Sequence, residues 1–237
     1  VHKIELSGIT IDVIRKDIKN MHLAVYPPTG RVRIAAPLSI SDDAIRLFVL
    51  SRLGWIKRNQ RKFGAQERQS PREYKERESH YYLGRRYLLK SIEENAYPKI
   101  LLKNRTLELH IRPGTPVEKR HEIMNNWYRK EIKKLIPVYI EKWEAILGVK
   151  VNDWQVKQMK TKWGSCNIED RRIWINLELA KKPVQCLEYI IVHEMAHFRE
   201  RHHDERFQTL MDTFLPTWRK IKSELNRLPV SHAEWGY

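Results

Sequence analysis

The residues with the most chemical potential lie between positions 189 and 207, in YIIVHEMAHFRERHHDERF. Four histidines fall there, His193, His197, His202 and His203, with Glu194 directly after the first. On an α-helix, residues four apart stand one turn apart on one face, so the ring nitrogens of His193 and His197 can meet at a single zinc ion. Glu194 starts a full step around from that pair and can reach a water held by the metal. Zinc lowers the pKa of such a water toward about 7, and a carboxylate can then take its proton. The remainder of the stretch, Ile190, Ile191, Met195, Ala196 and Phe198, is apolar, as expected of a core helix beneath a cleft. Two imidazoles and a carboxylate on a buried helix need a partner, and a metal supplies one where ordinary hydrogen-bonded core histidines would not explain the spacing.

The third ligand is a choice between His202 and His203. In an unbroken helix His202 would point away from His193, and His203 would sit roughly 15 Å along the axis. The chain must therefore turn soon after Glu200. Asp204 reads as the N-cap of a following helix with Glu205 in its first turn. That leaves His203 at the last position before the helix, where a side chain can point back, and His202 in the connection, solvated or touching substrate. His203 is the favoured ligand, giving three protein ligands and the open fourth position of a hydrolytic zinc site. Cys166 is the one thiolate that could close the site as a fourth ligand, and it is disfavoured.

Other elements must hold this stretch in place. Pro27, Pro28 and Gly30 separate two apolar runs within 21–36, which reads as a hairpin. Ser41 is a helix N-cap followed by Asp42 and Asp43, and Ile45, Phe48, Val49, Leu53 and Ile56 recur at helical spacing. Residues 64–79 are nearly devoid of apolar side chains and read as an exposed linker. Strand patterns resume at HYYLGRRYLLKSI, KILLK and TLELHI. From Val117 to Leu147 an apolar stripe marks a helix that Pro137 kinks or divides. DWQVKQMKTKWGSC and RRIWINLELA are strand candidates around a polar turn at 167–170, and helices follow at about 183–200, from Glu205, and on to about Leu228. No internal repeat is evident. The order predicts an α+β fold: a β-rich N-terminal region, 1–115, with a helix and the polar linker, then 116–237 carrying a small sheet packed on the HExxH helix.

Composition narrows the setting. The 237 residues include eight tryptophans and 41% hydrophobic residues, which suits a folded chain. No apolar run is long enough for a membrane span. The two cysteines form no disulfide framework or CxxC pattern, and the opening residues lack a signal-peptide layout, so a reduced, cytoplasmic protein is expected. The net charge of +16 is compatible with nucleic acid as a partner, or simply with a basic solvated surface.

Together, KWGSCN at 162–167, IWINLELA at 173–180, YIIVHEMAH and HHDERF resemble the YgjP-like family of metal-dependent hydrolases, relatives of SprT-like and WLM-type zincin metallopeptidases. The matching positions are Trp163, Gly164, Ser165, Cys166, Asn176, Leu179, His193, Glu194, His197, His203 and Phe207. The resemblance also selects His203 as third ligand. It implies a zincin-like domain at 116–237 with one zinc ion, Glu194 as catalytic base, and a strand at 173–179 bordering the cleft. Substrate can pair with such a strand as an edge. It places Trp163, Gly164, Ser165 and Cys166 near the cleft, with a structural role weighed against oxyanion stabilisation, and Asn176 and His202 among the candidate substrate contacts. Two departures stand out: family members often carry Asn-His-Ser-Pro where this chain has His202-His203-Asp204-Glu205, and Glu200 occupies the bend where metzincins have glycine. The implied activity is peptide-bond hydrolysis of a protein or peptide. The alternatives are a metal-dependent nucleoside triphosphate pyrophosphohydrolase and a nucleic-acid adaptor with a structural metal; the chain has no Walker-type loop and no dense carboxylate cluster for magnesium.

Overall fold

The structure, a computed structural model, describes residues 2–26, 29–65, 72–159 and 162–227. The chain divides between residues 67 and 68 into two units. In the first, β1 (His2–Leu6), β2 (Ile9–Lys16), β3 (His22–Tyr26) and β4 (Arg31–Pro37) form one sheet in the order β1-β2-β4-β3. β3 and β4 are the antiparallel hairpin predicted from the turn residues, although Pro27 and Pro28 lie outside the described residues. Ser41 caps α1 (Asp42–Ser51) by accepting from the Ala44 amide, and α2 (Leu53–Ala65) follows. Ile45, Val49 and Ile56 from the helices close over Ile11, Val13, Val32 and Ile34 of the sheet.

The second unit begins with β5 (Ser79–Tyr82), β6 (Arg85–Glu93), β7 (Lys99–Lys103) and β8 (Thr106–Ile111), ordered β5-β6-β8-β7. This repeats the topology of the first sheet: an antiparallel pair, a parallel pair and a second antiparallel pair. Ser7-Gly8 and Leu83-Gly84 turn the corresponding first hairpins, and all four residues have positive φ, as the tight hairpin turn of matching twist requires. The repeat is invisible as sequence because it conserves strand order and turn geometry, not residues.

The boundary expected near residue 115 is therefore displaced. Tyr87, Leu89, Leu107, Leu109 and Ile111 of the second sheet share one core with Met124, Tyr128 and Ile132 of α3 (Val117–Leu147), so that sheet belongs with the C-terminal half. Pro137 sits inside α3 without dividing it. The expected exposed linker is also corrected in part. Residues 66–71 lie outside the described residues, but Tyr74 is buried and its hydroxyl contacts His121 Nδ1 at 2.5 Å. The Glu78 carboxylate accepts from the Tyr74 amide, and Leu89 N–H bonds the Glu78 carbonyl, so a segment poor in apolar residues is held by polar contacts.

A third sheet follows α3: β9 (Asp153–Lys157), β10 (Gly164–Asn167) and β11 (Arg172–Asn176), in the order β10-β11-β9. β10 runs antiparallel and β9 parallel to β11. The strand expected over 173–179 stops at Asn176, whose side-chain oxygen accepts from the Glu178 amide and starts a 3-10 turn over Leu177–Lys181. β11 is central rather than an edge; β10 and β9 are the edges. α4 (Val184–Ala196) packs against β10 and β11, against α3, and against α5 (Glu205–Phe214) and α6 (Trp218–Arg227). Among the described residues no helix is long and apolar enough to cross a membrane.

Candidate metal centre

α4 is apolar nearly all round, with Leu187, Ile190, Ile191, Val192, Met195 and Ala196 buried, so hydrophobic burial fixes it in the core of its unit. It ends at Ala196, earlier than the expected 200. The Phe198 and Arg199 amides bond the carbonyls of Met195 and Ala196 in a tightened last turn, and the chain then reverses. His193 and His197 stand one turn apart with ring centroids separated by 5.0 Å. Asp204 caps α5 by accepting from the Phe207 amide at 3.1 Å, so His203 ends the reversal and faces back. Its Nε2 lies 2.9 Å from His193 Nε2, and one ring nitrogen from each of His193, His197 and His203 falls within 4.8 Å of the others. Phe207, fully buried, packs its ring 4.8–5.0 Å from all three imidazoles and closes the cluster from below. His202 is exposed and lies outside the cluster.

The cluster's chemistry fits a cation. Two ring nitrogens on one zinc stand roughly 3.3 Å apart for bonds of about 2.0–2.1 Å, close to the spacing between His193 and His203. Burial, then mutual repulsion and the Lys222 ammonium, pushes His193 down to about 3. His203 is lowered by burial, His197 and Lys222; His197 is lowered chiefly by burial, against the Glu200 and Arg201 backbone. All three imidazoles are therefore neutral at physiological pH and present the lone pairs that a metal takes. His197 Nδ1 lies 3.0 Å from the Glu200 carbonyl, which fixes that ring as an Nδ1–H donor and leaves Nε2 as the nitrogen carrying the lone pair. Among the described residues, buried His193 Nδ1 has no hydrogen-bond partner, and packing on Tyr189 and Phe207 orients that ring instead.

Glu194 is buried and points at β10. A methyl group built on Gly164 would lie 2.6 Å from Glu194 Oε1 and 2.7 Å from Ile190 Cγ2, so only glycine lets the strand approach this close. Burial raises the Glu194 carboxyl to about 7 against the opposing pull of the Lys162 ammonium and the Cys166 thiol; a cation among the histidines would pull it back down. Gly164→Ala should accordingly cost about 1–3 kcal/mol through overpacking and displace Glu194, lowering both the urea midpoint and turnover. Unchanged values for both would refute the close-approach reading.

The other candidates divide. Ser165, opposite Trp174, alternates to the sheet face away from α4. Trp163 is half-buried against the core, with the Lys182 ammonium 5.9 Å above its ring. Asn176, expected as a substrate contact, is instead buried and committed to the chain itself. Its Nδ2 donates to the Met159 carbonyl at 2.9 Å and the Lys162 carbonyl at 2.7 Å, clamping the segment that leads into Trp163. Lys162 beside Glu194, and Lys222 and Tyr189 beside His193, were not singled out from the sequence. Their positions depend on packing between elements far apart in the chain, although Tyr189, one helical turn before His193, carried a local hint.

The family model for the YgjP-like metallopeptidase domain matches residues 19–228. The chain belongs to the YgjP-like metallopeptidase family. No curated protein matches it. Among solved structures, the metallopeptidase zymogen of Pyrococcus abyssi abylysin is similar at 18% identity with a TM-score of 0.36, covering 40% of this chain and 99% of that one. The YgjP-like match spans both units and contains the whole histidine cluster with β10, β11 and the Asn176 clamp.

Proposed function

We propose that this YgjP-like protein is a zinc metallopeptidase in which His193, His197 and His203 hold one zinc ion and Glu194 is the general base. The observation that carries the reading is the convergence of three imidazoles, with a buried carboxylate one residue from the first. Bound zinc supplies Lewis acidity, polarising the scissile carbonyl and acidifying water. Glu194 takes a proton from the attacking water as the new carbon–oxygen bond forms, and returns it to the amine nitrogen as the peptide bond breaks. Gly164 lets β10 come up against the carboxylate. Among the described residues that strand has a sheet neighbour on one side only, so an extended substrate segment can add along its other side, on the strand that carries Gly164 against Glu194. β11 cannot serve this purpose, being paired on both sides.

The test is cleavage of unfolded casein by the zinc-loaded protein, run beside nucleoside triphosphates, with and without DNA. Casein cleavage should vanish after chelation and return with zinc. Triphosphate hydrolysis that depends on Glu194, with protein substrates untouched, would replace this reading by the pyrophosphohydrolase.

A further inference from the structure

We propose that Cys166 is a positioning residue for Glu194, its thiol donating a hydrogen bond from β10 to the carboxylate. The geometry begins with strand alternation. Gly164 and Cys166 are two apart on β10 and so share a face, while Ser165 between them faces the other way opposite Trp174. Gly164 shows which face this is, because its missing side chain would run into Ile190 and Glu194 of α4. Ile190 and Glu194 lie one helical turn apart and form the stripe on which β10 rests. Cys166, half-buried and packed against the core, is thereby placed on the side of β10 that faces the Glu194 carboxylate.

The direction of the proposed hydrogen bond follows from the thiol's surroundings. Burial, with the neighbouring Glu194 charge, pushes the Cys166 thiol up to about 12, so it stays protonated and can donate. A glutamate side chain has three rotatable bonds, and apolar contacts to its stem leave the terminal torsion free. A donor on one carboxylate oxygen leaves the other to meet water. A thiol suits this role because it is a weak donor, orienting the group without strongly reducing its basicity. It also accounts for a cysteine at this position without making it a nucleophile or a metal ligand. Cys186, the other cysteine, is fully buried in the apolar core.

This inference rests on the peptidase reading of Glu194, and two readouts separate them. The first is turnover of casein by the zinc-loaded full chain. Cys166→Ala should keep zinc content and KM while kcat falls on the order of tenfold, the loss of one weak bond to a charged group. Cys166→Ser should restore most of that kcat, because a hydroxyl is again a donor. A kcat for Cys166→Ala within about twofold of wild type, a difference of only ~0.4 kcal/mol, would overturn the proposal. So would equal losses in the two variants. The second readout needs no turnover. The S–H stretching band of Cys166 in the infrared, assigned by its absence from Cys166→Ser, should lie below that of a free thiol and return toward it in Glu194→Ala. An unshifted band would refute the contact even in an active enzyme. A shifted band in a protein that cleaves no peptide would uphold the contact and remove the peptidase reading alone.

Discussion

Glu194→Gln is expected to leave a folded protein with one zinc ion and to lower peptide turnover by roughly 10²- to 10⁴-fold, the usual contribution of a positioned general base. The substitution is nearly isosteric and keeps an acceptor for Cys166, but the amide cannot take a proton from water. Glu194 is not among the three converging imidazoles, so metal stoichiometry should not change. The variant's apo form should be at least as stable as wild type, since burial opposes the carboxylate and an amide carries no charge to desolvate. Zinc content, melting temperature and kcat measured on one preparation decide the matter. Full-rate turnover with zinc in place would remove Glu194 from the chemistry and favour a structural metal.

The second large effect separates two adjacent histidines. His203→Ala should lose zinc on dialysis, while His202→Ala should retain one ion per chain. In the structure His203 Nε2 faces His193 Nε2, whereas His202 is exposed beyond the bend. The two imidazoles that remain, His193 on α4 and His197 at its C-cap, cannot complete a three-ligand site. The affinity lost should exceed the roughly 10- to 100-fold that removal of an orienting partner costs, because a bond to the metal itself is missing. Metal analysis after gel filtration gives the answer directly. Zinc retained by His203→Ala and lost by His202→Ala would require the bend after Ala196 to run the other way.

These two experiments bear on the part of the protein that was most legible beforehand. The pairing of His193 with His197 needs only the helical repeat, and the α4 pattern states that repeat in its apolar residues. The reversal before α5 was legible for a similarly local reason: Asp204 satisfies the first amides of a new helix, so the preceding residue is placed by a cap. Ser41 announced α1 in the same way. Local rules were less reliable where a single residue ends an element. Asn176 terminates β11 and opens the 3-10 turn, because its side chain serves backbone groups from residues 159 to 178 at once. Nothing in LELA's apolar character signals that.

What the amino-acid order determined by itself, then, is the chemistry on offer: two imidazoles and a carboxylate on one apolar helix, and a cap that turns the chain back with a third imidazole. Periodicity and capping act over a few residues, so they can be read along the chain. The tertiary structure decided which groups surround that chemistry. It grouped the second four-stranded sheet with the metal-site helices, because those strands and α3 bury their apolar faces in one core. It made β10 rather than β11 the open edge, a matter of which strands pair. It brought Lys222 toward His193, and Lys162, Gly164 and Cys166 toward Glu194. Those contacts join residues about thirty positions apart, and their energy comes from desolvation and close packing between elements, which no local pattern encodes.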